Sequence, residues 1–527
     1  MSRAAHTIAP PYPQVITPLD SCDFTIYDMI ARNAGLYPHK DAIVYDGRRT
    51  DFNTCKKLCD QYAAGLSGEG MAAGDRIAVL AGNCDDFLIL CGAAAKIGAI
   101  VVPINWRLGE EEVEYILKDS TPKFIVSGSG YGDLARRAAS KVGSVQKHYS
   151  FQADAEEGDC IPFRTLCREE GYEDVAAVSG DHAYMIIHTA AVGGKPKGCL
   201  LSQGNMIAVG IQIAELLKLD SQDCHVCILP LFHIGGLAMT MATMQQGGKN
   251  VILERFDPLL VLKLIEKERG TFFVAFPPIL ASILDAQEKG PDPFDAASLR
   301  IVCGMDNPET LERFFKINGQ AAFYSLYGQT EAMPVSGCNY KEKPGSIGPP
   351  AILTRVALFD DLEQEVAPGA TGEICVRSPA VFHGYWNRLE ETAHTFRNGW
   401  HHTGDLGRCD EDGFLWYAGR KPEKELIKPG GENVYPAEVE KVILSHGAVG
   451  EVCVIGVPDP EWGEAVKAVC VLKKGGAVSA GELIDFVASK IARYKKPKYV
   501  VFVESLPKTA TGAVNRQEVK KAHPGTN

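Results

Sequence analysis

The sequence lacks several features that would have settled its class at once. It has no uninterrupted apolar run of bilayer length. The nearest, Phe87 to Pro103, has Lys96 in its middle and is divided by glycines and a proline, so a buried helix leading into a short strand fits it better. The segment from Met1 to Pro18 is polar and proline-bearing, with no apolar core of signal-peptide length. The expectation for the 16 cysteines is therefore unpaired thiols in a reducing cytoplasm. Cys224-His-Val-Cys227 has the gap of half a zinc site, but no second pair lies nearby and the segment reads as buried strand. Positive charge is in deficit. A formal net charge of -12 argues against a nucleic-acid surface while leaving room for a local basic patch that holds an anionic ligand. Internal repeats and low-complexity tracts are also missing.

What remains is an ordinary globular composition, 46% hydrophobic and 23% charged, spread over 527 residues. That length exceeds what one core serves, so two or more domains are expected. From residue 24 to 180 helical and strand-like patterns alternate. Arg76 to Leu80, Ile100 to Pro103 and Lys123 to Val126 read as short buried strands. The alternation resumes from Asn205 and runs through Thr271 to Ala275 and Arg300 to Cys303, which implies parallel sheets covered by helices. From Gly345 to Tyr417 the runs become short, β-like and rich in turns. The expected fold class is α/β: a large N-terminal domain of helix-covered sheets (residues 1–423) containing a small β-rich subdomain (about 345–417). A small α+β C-terminal domain (424–527) follows it across a hinge.

Six stretches carry polar or glycine residues where a core would not want them. The first, His188-Thr-Ala-Ala-Val-Gly-Gly-Lys-Pro-Lys-Gly198, is a small-residue loop leaving an apolar strand. Such a loop lets backbone N–H groups and lysine approach phosphate oxygens. It lacks the four-residue gap of the mononucleotide-kinase loop, and by itself such a loop is more often a plain turn. The others are Pro230 to Gly236, Tyr324 to Glu331, Trp400 to Leu406, the charged Gly/Pro-rich stretch from Gly419 to Asn433, and Leu506 to Arg516. Taken singly, each has a bland reading: a capped turn at Tyr324 to Glu331, an everyday Thr-Gly-Asp turn at Thr403 to Asp405, surface or packing residues at His401 and His402.

Taken in order from about residue 25 to 516, these stretches resemble the adenylate-forming superfamily, and within it the AMP-forming acyl-CoA and aryl-CoA synthetases. The resemblance implies ATP/AMP, Mg²⁺ and coenzyme A as cofactors. Tyr327-Gly328-Gln329-Thr330-Glu331 is similar to the family's Tyr-Gly-x-Thr-Glu. Tyr327 would then stack on adenine, Thr330 bond the α-phosphate and Glu331 hold Mg²⁺, which suits a cation that favours one or two carboxylates plus phosphate oxygens. Asp405 would accept from both ribose hydroxyls, with Arg420 beside it. Thr189, Lys197, Gly304, Leu326, Lys424, Gly430 and Gly431 complete the implied cofactor contacts. The last two lie in the loop that would line the pantetheine tunnel. Lys424 opens the hinge, whose pivot would be Glu425. Where peptide-synthetase adenylation domains carry an aspartate to pair with an amino group, this chain has His233. An ammonium without a counter-charge would be costly in an apolar pocket, so a plain carboxylic acid is expected. Phe232, Phe276, Pro277 and Ser325 would join His233 in the substrate pocket, with His233 as a gate.

Two departures stand out. Ala190, Ala191, Val192 and Gly193 replace the hydroxyl-rich middle of the family's loop, and Ala513 stands where the family has the lysine that bridges carboxylate and α-phosphate. A missing cation aimed at developing charge costs on the order of a hundredfold in rate. Lys508 and Lys428 are the candidates to replace it, and Lys428 is counted with His233, Thr330 and Glu331 as catalytic. The implied activity is ATP-dependent activation of a carboxylic acid to an acyl-adenylate, followed by transfer to CoA. Two alternatives stay open: delivery of the adenylate to a carrier protein, or binding without chemistry. Expected partners are a small carboxylic acid, ATP and CoA, with no nucleic acid and no membrane span; a homodimer is left open.

Overall fold

The computed structural model of the chain describes residues 24–151, 160–169, 178–189, 196–290, 294–421, 426–508 and 514–525. Two large sheets share one layer of helices. The seven-stranded sheet runs in the order Ile161–Pro162, Lys147–Ser150, Phe124–Ser127, Arg76–Leu80, Ile100–Pro103, Ala183–Thr189, Lys197–Ser202. The eight-stranded sheet runs Ala332–Asn339, Ala322–Gln329, Ile301–Gly304, Phe272–Ala275, Cys224–Cys227, Lys249–Ile252, Asp41–Tyr45, Arg48–Asp51. Both are parallel in their interiors; the eight-stranded sheet ends in an antiparallel pair on each side, and the seven-stranded sheet on one, at Ala183–Thr189 and Lys197–Ser202. Parallel strands covered on both faces need apolar side chains on both, and the short all-apolar runs provide them. Ile77, Val79 and Val101 face one core together with Ile43, Phe272 and Val274 of the other sheet. Ala78, Leu80 and Val102 face a second core, and Val226, Phe273 and Val302 a third.

The shared helical layer includes Ile26–Leu36, Phe52–Gly68, Asp85–Ile97, Gln203–Leu217 and Ile234–Gln245. Asp85–Ile97 is buried on nearly every side, which accounts for its membrane-like composition. Among the described residues, no helix is long and apolar enough to cross a membrane. The helix starts follow local chemistry. Thr25 forms a capping box with Asp28, and Ser202 one with Asn205. Asp257 caps a helix that opens on Pro258.

Beyond the large sheets, a five-stranded antiparallel sheet is built on Arg355–Phe359, Gly372–Arg377 and Trp400–Cys409, with Phe396–Arg397 and Leu415–Arg420 both paired to the last. A three-stranded sheet (Val449–Asp459, Gly463–Leu472, Tyr499–Phe502) with the helices Pro436–Leu444 and Ala480–Ala488 has its own core. Its contacts with the larger body include charged ones: Arg107 pairs with Glu432, and Lys495, held 2.6 Å from Glu438 of its own unit, lies 2.5 Å from Glu112 across the boundary. The described cysteines are free thiols. Cys224 and Cys227 lie in a fully buried strand.

Candidate active site

The small-residue loop springs from a β-hairpin. Ala183–Thr189 pairs antiparallel with Lys197–Ser202, with His188 opposite Gly198 and Thr189 opposite Lys197. Residues 190–195, including the loop's unusual centre, lie outside the described residues. A third extended segment runs along the hairpin's free edge. The Leu200 N–H donates to the Gly384 carbonyl at 3.0 Å, and those of His383 and Trp386 donate to the Leu200 and Gly198 carbonyls at 2.9 and 2.7 Å. It brings Tyr385 in, with its ring 5.0 Å from the Lys197 ammonium. The Tyr385 hydroxyl donates to Glu331 Oε1 at 2.8 Å. Glu331 and its neighbour Thr330 are both buried. Cys199 sits beneath, fully buried, and burial together with the Glu331 charge pushes its thiol well up.

A second cluster forms where the strand Ala322–Gln329 meets the five-stranded sheet. Asp405 stands opposite Arg420 across a pair of strands, and the Arg420 Nε lies 2.8 Å from Asp405 Oδ1. The Tyr327 hydroxyl and the Gln329 amide donate to Asp405 Oδ2 at 2.7 and 3.3 Å. Three donors therefore converge on one buried carboxylate. Behind it, Glu373 accepts from the Gly404 N–H at 2.8 Å and lies 3.0 Å from Lys421 Nζ. Burial alone would raise the Glu373 carboxyl, but hydrogen bonds from His402 and Lys421 hold it down to about 2. Lys428 is nearby. Burial, helped by the Arg420 charge, lowers its ammonium to about 8 against the opposing pull of Asp405 and Glu464.

His401 and His402 are both buried, so the surface half of their expectation is corrected. His401 packs edge-on to Phe382, and His402 lies 3.1 Å from Glu373. Glu373, Cys375 and His402 bring possible metal-ligand atoms within 4.8 Å of one another. However, Arg397 stands 2.9 Å from His402 Nδ1, and Lys421 sits on the same carboxylate. Two cations already fill the place a metal would take.

Two cavities lie at the strand ends. The larger, about 310 Å³, is lined by Asn83, Trp106, Arg107, His233, Arg255, Phe276, Gly430, Gly431 and Glu432 among others. Gly430 and Gly431 take φ of 56° and 85° there, a backbone glycine adopts freely. The smaller, about 60 Å³, is lined by residues that include His188, Thr189, Phe232, His233, Thr330, Glu432 and Tyr494. His233 and Glu432 belong to both. His233 caps the helix Ile234–Gln245, with its Nδ1 accepting from the Gly235 N–H at 3.1 Å. Burial lowers its pKa. Asn83 fixes the preceding turn by donating to the Leu229 and Leu253 carbonyls, both at 3.0 Å, and accepting from the Leu231 N–H at 2.8 Å.

The structure thus groups the sequence-identified residues into three neighbourhoods. Thr189, Lys197, Thr330 and Glu331 gather at the hairpin. Tyr327, Gln329, Asp405, Arg420 and Lys428 gather at the second cluster. Phe232, His233, Phe276, Gly430 and Gly431 line the cavities. Pro277 lies where the glycine loop meets the body, its carbonyl facing Gly430. Ser325 pairs with Gly304 in the sheet, and a Cβ at Gly304 would fall 2.0 Å from the Ala275 carbonyl. Leu326 packs against the main core and Gly328 lies in the same strand. Lys424, Glu425 and Ala513 lie outside the described residues. Sequence reading missed Tyr385, Arg107, Glu373 and Glu432. A Gly-Tyr pair some 54 positions from Glu331 carries no local signal of the contact that the fold creates.

The chain belongs to the AMP-binding enzyme family, whose main domain matches residues 30–386 and whose C-terminal domain matches residues 438–513. It is similar to the indoleacetate–CoA ligase of Aromatoleum aromaticum, 35% identical over 511 residues that cover 94% of this chain and 97% of that protein. It is also similar to a feruloyl-CoA synthase of an Amycolatopsis species, 34% identical, covering 93% and 97%. Among solved structures it resembles a double mutant of the o-succinylbenzoate CoA synthetase of Bacillus subtilis bound with its product analogue. The two share a TM-score of 0.83 and 30% identity, covering 95% of this chain and 99% of that one.

Proposed function

We propose a division of labour among the three neighbourhoods for the reaction of an AMP-forming carboxylate–CoA ligase, which is what this chain is. ATP, a carboxylic acid and CoA are its substrates. The observation that carries the assignment is the convergence of Tyr327, Gln329 and Arg420 on Asp405, with Thr330 and Glu331 following Gln329 directly in the chain. A buried carboxylate held by three donors is preorganised to receive the ribose hydroxyls, with Tyr327 offering its ring face to adenine. Thr189, Lys197 and Thr330 provide donors for the phosphates.

The acid's carboxylate oxygen attacks the α-phosphorus, and pyrophosphate leaves. The residues contribute positioning and neutralisation of the charge that develops. Glu331 fits Mg²⁺: one buried carboxylate beside a phosphate site, with Tyr385 fixing its orientation. Mg²⁺ there would neutralise phosphate charge. Lys428 supplies the cation that Ala513 does not. Even lowered to about 8, its amine is mostly protonated at neutral pH, and an arriving phosphate would favour that charged form further. The domain boundary near residue 424 acts as the hinge. Gly430 and Gly431 then form one wall of the larger cavity, which admits the pantetheine arm past Arg107 and Arg255. His233 gates the passage between the two cavities. The free thiols, most of them buried among the described residues, suit a cytoplasmic setting.

The test is AMP release and thioester formation over a panel of carboxylic acids with ATP, Mg²⁺ and CoA. Indoleacetate and ferulate are its first members because similar proteins carry those names. Formation of an acyl-CoA supports the assignment. Accumulation of acyl-AMP without thioester overturns the CoA step, and failure of pyrophosphate exchange with every acid overturns adenylation. His233→Ala should slow thioester formation more than adenylation; equal loss in both removes the gate.

A further inference from the structure

The smaller cavity is walled by two histidines whose ring nitrogens are committed differently. His233 Nδ1 accepts the Gly235 N–H at 3.1 Å. A backbone N–H can only donate, so the neutral ring carries its proton on Nε2 and keeps no lone pair for another. His188 is the reverse case. Its Nε2 lies 3.1 Å from Asp119 Oδ2, and Asp119 Oδ1 lies 3.0 Å from Arg388, so both oxygens of that side chain face donors. Nε2 is therefore the protonated nitrogen, and the lone pair is on Nδ1. That Nδ1 is buried and makes no hydrogen bond. The side chains of His188 and Asp119 are 2% and 6% exposed. Asp119 also accepts, through its carbonyl, from the Trp386 indole at 3.1 Å, and Arg388 reaches the Tyr115 hydroxyl at 2.9 Å. The dyad is thus tied to the same segment that carries Tyr385.

We propose that His188 is the base that takes the thiol proton in the thioester-forming step, with Asp119 as its positioning residue. This rests on the ligase reading and on the shared wall of the two cavities. A thiol arriving through the larger one passes His233 and Glu432 into the smaller, where Thr189 and Thr330 also lie. The S–H proton moves to His188 Nδ1 and the sulfur bonds to the acyl carbon. The carbon–oxygen bond to the phosphoryl group breaks, and AMP leaves with that electron pair. The imidazolium, stabilised by Asp119 as in other carboxylate–histidine pairs, then yields its proton to water. The titratable groups around the ring are Asp119 with Arg388 and Tyr115 behind it, and across the cavity His233, Glu432 (paired with Arg107) and Tyr494.

The experiment is single-turnover transfer from preformed acyl-adenylate to CoA, followed over about pH 5.5 to 8.5, beside pyrophosphate exchange. His188→Gln should slow transfer by about a hundredfold or more and remove the acidic limb of its pH profile, while exchange falls by no more than about threefold. Asp119→Asn should slow transfer in the same direction, because an amide partner favours the wrong tautomer. It carries the test if the first variant fails to fold. Retention of the acidic limb in His188→Gln overturns the proposal. So does equal loss of both half-reactions, or loss of the limb in Glu432→Gln instead. Absence of exchange in the unmodified chain would overturn the ligase reading itself.

Discussion

At the scale of single residues, the site depends on a few buried charges that the fold has already satisfied. Asp405 is met by Tyr327, Gln329 and Arg420 before any ligand arrives. Replacing one partner of such a pair leaves the other charge buried and uncompensated, which is costly. Asp405→Ala should therefore raise the KM for ATP about tenfold or more, equivalent to about 1.4 kcal/mol, as read from initial rates of AMP release. Tyr385→Phe removes the hydrogen bond that orients Glu331 while leaving the ring over Lys197. The Mg²⁺ concentration giving half-maximal rate should rise several-fold with little change in the KM for the acid; an unchanged Mg²⁺ titration would separate Tyr385 from the metal site. Some of these residues were legible in sequence because their motifs are contiguous: Tyr327 to Glu331 runs from the end of one strand into the turn that follows it, and Thr403 to Asp405 lies on one strand. Tyr385, Asp119 and Arg107 were not. Their partners lie 54, 69 and 325 positions away, and no local pattern encodes which distant strand or loop a side chain will meet.

At the scale of elements, alternating apolar runs were the legible part. The strand expected at Arg76 to Leu80 has those bounds, and Thr271 to Ala275 starts one residue later, at Phe272. Pairing was not legible: the antiparallel hairpin around the glycine loop and the segment at 381–386 that completes it depend on long-range register. One element can be probed by pH. Glu373 joins the turn before Asp405 to Lys421. Its carboxyl is lowered to about 2 in the folded chain from about 4.3 when unfolded. Its contribution is present above the unfolded value and is lost as pH falls from about 4 toward 2. Thermal unfolding followed over that range should show Tm falling with acid, and Glu373→Gln should flatten that portion while lowering Tm at neutral pH. An unchanged acid slope in the variant would show that Glu373 does not couple to stability.

At the scale of the whole molecule, the contacts between the small three-stranded unit and the large body include ion pairs beside apolar contacts such as those of Ala492 and Tyr494. Across the boundary Lys495, which also holds Glu438 of its own unit, pairs with Glu112, and Arg107 pairs with Glu432. Such pairs gain less from desolvation than apolar packing does and separate more readily, which would suit the hinge proposed near residue 424. Lys495→Met should slow thioester formation several-fold while leaving pyrophosphate exchange within about twofold, since it touches neither nucleotide nor acid. Equal effects on both would mean that the contact matters only for stability. The hairpin offers a different readout. Cys199, on its second strand, is fully buried with its thiol pushed well up, so a maleimide can reach it only when the hairpin opens. Labelling of that one cysteine, read by peptide mass spectrometry, then becomes a clock for local opening. ATP and acid bound above it should lengthen the half-time, converting substrate occupancy into a measurable chemical lag.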